Sequence, residues 1–281
     1  QSCRSGVSRQ VCKKIRPGVA SSVNGITSIR SMSLAAGNTL EQLAADSPHI
    51  DVVRYEHKNV KYTLKHMDYH SMSLAVGLLH SGLAPGDAVL SWLPSHFAEE
   101  HILQFACSKA GLVLYNLDPY LAVLDSEAAK EALAKALELT KANALITQEA
   151  GNDVNYARLV EQVIPETRIF DFSDGMPFIT PRYPHLRLPI HTGFEYGDKL
   201  GMIPMYDMIT PTNDVEYALN GAKLDGKTPL KGSLVVSDKG IPTKIGKVMT
   251  NDEVVKSGEW PMLSSILKKE YQEVEGVGVV F

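Results

Sequence analysis

Apolar runs that alternate with amphipathic helical segments are the feature that most constrains this fold. Residues 64–81 carry apolar side chains at helical spacing, and residues 88–93 form an apolar run typical of a buried parallel strand. A second helix is predicted over residues 95–110, with Ser95 as its N-cap, and a second strand over residues 112–117. Alternating helices and strands pack as a layered sheet. The sequence therefore predicts an α/β fold with a mostly parallel sheet and flanking helices.

The same alternation continues further along the chain. A helix is predicted over residues 125–140, which are rich in Ala, Leu, Glu and Lys, and a strand over residues 144–147. Another helix is predicted over residues 152–162 and another strand over residues 167–172. These segments extend the same α/β pattern.

The charge is concentrated at the start of the chain. The net charge is −4, yet residues 1–40 contain no acid and no aromatic residue. Their basic residues are Arg4, Arg9, Lys13, Lys14, Arg16 and Arg30. An acid-free, Arg- and Ser-rich segment is typical of mitochondrial or plastid targeting, and we predict a mitochondrial location. A solvated basic tail is the alternative, whereas the lack of aromatic residues disfavours a nucleic-acid arm.

Membrane, disulfide and metal chemistry find little support in the sequence. No apolar run approaches the roughly 18 residues that span a bilayer. Cys3, Cys12 and Cys107 share no metal-ligand or disulfide spacing. His66 and His70 are four residues apart and could share a helix face, but no third ligand is indicated. We therefore predict no metal site and no transmembrane segment.

Four short segments occur in a characteristic order. They are Gly-Leu-Ala-Pro-Gly-Asp at residues 82–87, Trp-Leu-Pro-Ser at 92–95, Ala-Cys-Ser-Lys-Ala-Gly at 106–111 and Asn-Leu-Asp-Pro at 116–119. In order and spacing they resemble the N-terminal part of the AMP-forming acyl-CoA synthetases, a family of adenylating enzymes. The resemblance implies that family's N-terminal subdomain over about residues 40–240. Residues 1–39 are then a basic extension and residues 241–281 a C-terminal extension.

The resemblance also implies a phosphate-binding loop. In this family a Ser/Thr/Gly-rich loop that ends in Pro-Lys-Gly cradles the phosphates of ATP. The corresponding stretch is residues 214–237, in which Gly221, Gly226, Lys231 and Gly232 are the vestigial loop positions. Asp225 places a carboxylate among them, which opposes phosphate binding. We therefore assign no cofactor and no catalytic residue.

These departures suggest a function without catalysis. In the family, the adenine pocket, a magnesium-binding acid and a mobile lid follow the loop, and residues 238–281 are expected to encode none of them. We expect a non-catalytic relic and not an enzyme. It would be an accessory scaffold subunit among the proteins of a large mitochondrial assembly, first of all a divergent ATP synthase, and next the mitoribosome or a respiratory complex. The alternatives are a sensor that binds a nucleotide or acyl-CoA without turnover, and an enzyme fragment completed by a separate chain.

Overall fold

The computed structural model describes residues 35–55, 60–172, 176–193, 201–209 and 224–268. In these residues, helices cover both faces of a seven-stranded sheet. The predicted α/β fold with a mostly parallel sheet is confirmed. None of the helices in these ranges is long and apolar enough to cross a membrane.

The strands in these ranges form one large sheet and two small ones. They are β1 (Asp51–Tyr55), β2 (Val60–Thr63), β3 (Ala88–Trp92), β4 (Val113–Asn116), β5 (Ala144–Thr147), β6 (Ala150–Gly151), β7 (Val154–Asn155), β8 (Leu188–His191), β9 (Ile203–Pro204), β10 (Pro229–Val236) and β11 (Pro242–Thr250). The large sheet has the order β11-β10-β4-β3-β5-β8-β9. Its neighbours are parallel except β10 and β11, which form an antiparallel hairpin. β1 pairs with β2, and β6 with β7.

Ten helices lie in the described residues. They are α1 (Ala36–Asp46), α2 (Leu64–His80), α3 (Ala98–Ala110), α4 (Leu121–Leu124), α5 (Ser126–Thr140), α6 (Tyr156–Val163), α7 (Glu166–Ile169), α8 (Met205–Met208), α9 (Asn251–Ser257) and α10 (Pro261–Lys268). A capping box between Thr63 and His66 begins α2. Gly111, in the left-handed conformation with φ 72°, ends α3.

Three local predictions are wrong. The helix predicted over residues 152–162 begins at Tyr156, because residues 154–155 form strand β7. The helix predicted to start after Ser95 begins at Ala98, because residues 94–97 form a turn in which the Phe97 amide donates to the carbonyl of Pro94 at 3.1 Å. Residues 167–172 were predicted to form a strand. Instead they contain the end of the short helix α7 and the residues after it. Pro165 precedes that helix with a φ of −62°, which favours a helical turn.

The sheet separates two apolar cores. Side chains alternate along each strand, so that Val89 and Leu114 face one core and Leu90 and Tyr115 face the other. The first core contains residues of α1, α2, α3, α9 and α10, and the second contains residues of α5 and α6. Gly77 lets α2 approach the backbone of Met208 in α8, where a Cβ would collide.

The structure shows where the expected domain limits lie. The limit between residues 39 and 40 falls inside α1, and the limit between residues 240 and 241 falls in the turn of the β10–β11 hairpin. Beyond that turn, Val254 in α9 and Leu263 and Ile266 in α10 are buried in the first core. The last two described helices are therefore packed parts of the α/β unit.

Candidate functional site

A cleft of about 680 Å³ lies at the carboxyl ends of three neighbouring parallel strands. Leu93 follows β3, Leu117 follows β4 and Gln148 follows β5, and all three line the cleft. Helix α3, the start of α6 and the segment between α9 and α10 complete its walls. Ligands of open α/β sheets bind outside the carboxyl ends of the strands. We call this cleft the edge cleft and treat it as the candidate site.

A buried carboxyl group lies in the wall of the edge cleft. Glu100 in α3 lines the cleft and is 1% exposed. Its Oε2 accepts a hydrogen bond from Ser91 Oγ at 2.5 Å. Its Oε1 accepts from Asn116 Nδ2 at 2.6 Å and from Gln104 Nε2 at 3.1 Å. Donors from β3, β4 and α3 therefore hold this carboxyl in one orientation.

The surroundings of Glu100 change its ionisation. Burial raises the pKa of its carboxyl from 4.5 to about 7, because desolvation disfavours the charged form. The hydrogen bonds from Ser91, Asn116 and Gln104 and the positive charge of Lys231 lower the pKa, but burial outweighs them. Near neutral pH, Glu100 is thus divided between an ionised and a protonated form. A carboxyl of this kind in a cleft is typical of a functional site.

The other charged groups make the edge cleft acidic. Lys231 Nζ lies 2.6 Å from Glu259 Oε2, so its charge is paired at the cleft wall. Burial lowers the pKa of His101 to about 4, which leaves its imidazole neutral at pH 7. Asp118 also lines the cleft. Carboxyl groups therefore outnumber cationic side chains in the lining of the edge cleft.

The predicted phosphate-loop residues that the structure describes, Gly226, Lys231 and Gly232, do not lie in one loop. Gly226 lies in a turn, and its carbonyl accepts from the Asp252 amide at 2.9 Å. Lys231 and Gly232 lie on strand β10 and pair with β4. Gly232 allows the ring of Tyr115 to pack closely against the strand, where a Cβ would collide. Gly221 lies outside the described residues. Of these positions, the structure brings Lys231 to the edge cleft.

The remaining candidate residues from the sequence take part in helix capping and side-chain packing. His66 Nδ1 accepts from the Thr63 amide in the capping box of α2, and the ring of His70 contacts the ring of Tyr62. Cys107 is fully buried, and burial raises the pKa of its thiol. In the described ranges, no group of three or more His, Cys, Asp or Glu residues could hold a metal ion.

Glu100, Gln104 and Asn116 in the edge cleft were not predicted from the sequence. Glu100 and Gln104 are four residues apart in α3, a helix whose residues are almost all buried. An acid and an amide at helical spacing inside a segment rich in apolar residues are a usable signal for a buried polar network. Asn116 carries no such signal, because its role depends on β4 lying beside β3.

Part of this chain is similar in sequence to known enzymes. Residues 40–176 match the family model described as AMP-binding enzyme. "Putative acyl-CoA synthetase YngI" of Bacillus subtilis (strain 168) is 31% identical over 157 residues, which are 56% of this chain and 27% of that protein. "Medium-chain acyl-CoA ligase ACSF2, mitochondrial" of Danio rerio is 25% identical over 144 residues, 51% of this chain and 22% of that protein. The chain thus spans about a quarter of the length of these two relatives.

A solved structure shows the same architecture. Acetoacetyl-CoA synthetase from Streptomyces lividans matches with a TM-score of 0.58 and 16% identity, over 85% of this chain and 32% of that one. At this identity the likeness shows the fold. It agrees with the predicted N-terminal subdomain of acyl-CoA synthetases.

The expectation that this chain is not an enzyme is wrong. The relatives that match it are named as an acyl-CoA synthetase and an acyl-CoA ligase, and the matching family model is that of an enzyme. That expectation depends on the loop of residues 214–237 and on the residues after it, whereas the family match covers residues 40–176 and is independent of both. A departure in the later segment therefore does not define the whole chain as a relic.

Proposed function

We propose that this chain, as a member of the AMP-binding enzyme family, forms part of an enzyme that activates a carboxylic acid with ATP. The same enzyme would then transfer the acyl group to CoA. In the first step a carboxylate oxygen attacks the α-phosphorus of ATP, which gives an acyl-adenylate and releases pyrophosphate. In the second step the CoA thiol attacks the acyl carbon, loses its proton and displaces AMP. The products are acyl-CoA, AMP and pyrophosphate.

The observation that carries this proposal is the family match over residues 40–176. This region contains the strands β3, β4 and β5, whose carboxyl ends open into the edge cleft. The names of the two relatives support acyl-CoA formation as the reaction. Lys231 brings a positive charge to the cleft from a position that the resemblance implies for phosphate binding. Its charge would favour a polyphosphate substrate.

The proposal is tested by acyl-CoA formation. The full chain is incubated with ATP, CoA and carboxylic acids from two to sixteen carbons, and the products are measured by mass spectrometry. We expect acyl-CoA and AMP in equal amounts for at least one acid. Lys231→Ala should reduce the rate about 100- to 1,000-fold, in line with the loss of one group that stabilises developing charge. Lys135→Ala is the matched control, because Lys135 is half-exposed on helix α5, which does not line the edge cleft. Wild-type rates in the Lys231 variant would count against its role.

We also propose that this enzyme is located in mitochondria. The acid-free basic segment of residues 1–40 supports it, and the matching relative from Danio rerio is named as mitochondrial. Membership of a large mitochondrial assembly, with a divergent ATP synthase first, stays a prediction. Purification of the intact protein from mitochondria would test both, since a soluble monomer on gel filtration would contradict the assembly.

A further inference from the structure

Strand β11 leaves one side of its backbone open. It is the outermost strand of the large sheet, and among the described residues β10 is the strand it pairs with. Five of its nine residues are exposed, namely Thr243, Lys244, Ile245, Lys247 and Val248. One row of its N–H and C=O groups therefore faces away from β10, where an extended segment could pair with it. We call this row and the five exposed side chains the β11 edge.

The β11 edge is part of a hairpin that is apolar as well as basic. Four large apolar side chains of the hairpin are between 38% and 52% exposed: Val235, Val236, Ile245 and Val248. Lysine on an edge strand is one way in which proteins keep such edges from pairing. That explanation accounts for Lys244 and Lys247 but leaves the apolar side chains in contact with water. Apolar side chains that cluster on a surface often mark a contact site.

The charge of β11 limits what can pair with it. The strand contains Lys244 and Lys247 and no acid. Lys247 Nζ lies 2.7 Å from Glu253 Oε1, whereas Lys244 forms no ion pair with any described residue. Pairing with the β11 edge of a second copy would bring like charges together, which opposes it. Residues 1–34 carry basic charges alone and are disfavoured for the same reason. The edge therefore suits a segment that is both acidic and apolar.

Residues 269–281 have this character. They follow α10, lie outside the described residues and contain three glutamates and one lysine. Positions 273, 275, 277, 279 and 281 are Glu, Glu, Val, Val and Phe. In an extended strand these five side chains would share one face, acidic at one end and apolar at the other. Thirteen extended residues span about 40 Å, and α9 and α10 are the elements between β11 and this segment.

We propose that residues 273–281 pair with the β11 edge of the same chain and extend the large sheet by one strand. Backbone hydrogen bonds to β11 supply affinity, as in other cases where a strand is added to a sheet edge. The two glutamates lie beside the lysines of β11, and the apolar residues after them cover Ile245 and Val248. This interaction goes beyond the proposed acyl-CoA synthetase activity and does not depend on it.

Carbodiimide cross-linking of the full chain tests the pairing. The reagent joins a carboxylate to an amine that it contacts, so digestion and mass spectrometry should give peptides that link Glu273 or Glu275 to Lys244 or Lys247. The reaction is run on an equal mixture of ordinary and ¹⁵N-labelled protein. We expect each linked peptide to be wholly light or wholly heavy, because both segments belong to one chain. Peptides of mixed isotope would identify a second copy as the occupant and overturn the inference, as would the absence of these links.

Hydrogen exchange of charge variants gives an independent measure. In the double variant Glu273→Lys, Glu275→Lys, the backbone amides of β11 should exchange about fivefold faster than in the wild type, because two surface ion pairs are lost and reversed. Adding Lys244→Glu should restore much of the protection, which a variant that is merely less stable would not do. Lys239→Glu is the matched control, since Lys239 is exposed in the turn before β11 and should leave the exchange unchanged.

Two outcomes of the exchange experiment would overturn the inference. One is wild-type exchange of β11 in the double variant, and the other is a triple variant that shows no recovery. No arm of either experiment contains ATP or CoA, so a failure here is distinct from a failure of the proposed enzyme activity.

Discussion

Replacing Glu100 with glutamine is expected to flatten the pH dependence of stability between pH 5 and pH 8. In the folded protein the pKa of this carboxyl is raised from 4.5 to about 7, so the folded state binds more protons than the unfolded state between these values. The free energy of unfolding therefore falls as the pH rises through this window. The loss attributable to Glu100 is about 3 kcal/mol at pH 8, from about 1.4 kcal/mol per pKa unit. Glutamine stays neutral and avoids this loss.

Urea denaturation at a series of pH values measures this effect. The wild-type protein and Glu100→Gln should have similar unfolding free energies near pH 5 and diverge toward pH 8, with the variant the more stable. Glu127→Gln is the matched control, since the side chain of Glu127 is 81% exposed and its removal should leave the slope unchanged. Parallel curves for the wild type and Glu100→Gln would show that Glu100 is ionised without cost in the folded state.

Truncating Trp260 to alanine is expected to destabilise the protein by about 3–5 kcal/mol, the range for large aromatic side chains in cores. Trp260 is 2% exposed, and its ring packs edge-to-face on Phe105 with centroids 5.6 Å apart. It joins the segment before α10 to the core that α3 shares with α1 and α2. The loss combines buried apolar area with the cavity that alanine would leave.

Thermal and urea unfolding of Trp260→Ala and two companions would measure this loss. Trp260→Phe keeps an aromatic ring and should retain more than half of the lost stability. Leu267→Ala changes a residue of the adjoining helix α10 that is 40% exposed, and it should change stability by less than about 0.5 kcal/mol. If Trp260→Ala unfolds like the wild type, α10 is not part of the cooperative core.

The fold was largely predictable because its signals are local. Apolar runs bounded by turns located β3, β4 and β5, and helical periodicity located α2 and α5. The start of α3 was not predictable in the same way, since Ser95 is a favourable N-cap residue but lies in a turn after Pro94. The ends of helices and strands depend on single residues, so local propensity alone does not determine where they lie.

The candidate site was much less predictable. Glu100 becomes unusual through burial and through Asn116, whose position depends on the pairing of β4 with β3. Lys231 was identified from a resemblance that placed it in a loop, yet it lies on β10 and faces Glu259, 28 residues further along the chain. Contacts of this kind depend on tertiary structure, which spacing in one sequence does not contain.

Exchange of labelled pyrophosphate into ATP is the most direct test of the central claim, which is that this chain takes part in acyl activation. Formation of an acyl-adenylate is reversible, so an active protein incorporates label into ATP when its carboxylic acid is present. We predict incorporation by the folded full chain that depends on one class of carboxylic acid and disappears when the acid is omitted. A chain that is folded by circular dichroism and incorporates no label with acids from two to sixteen carbons would contradict the claim.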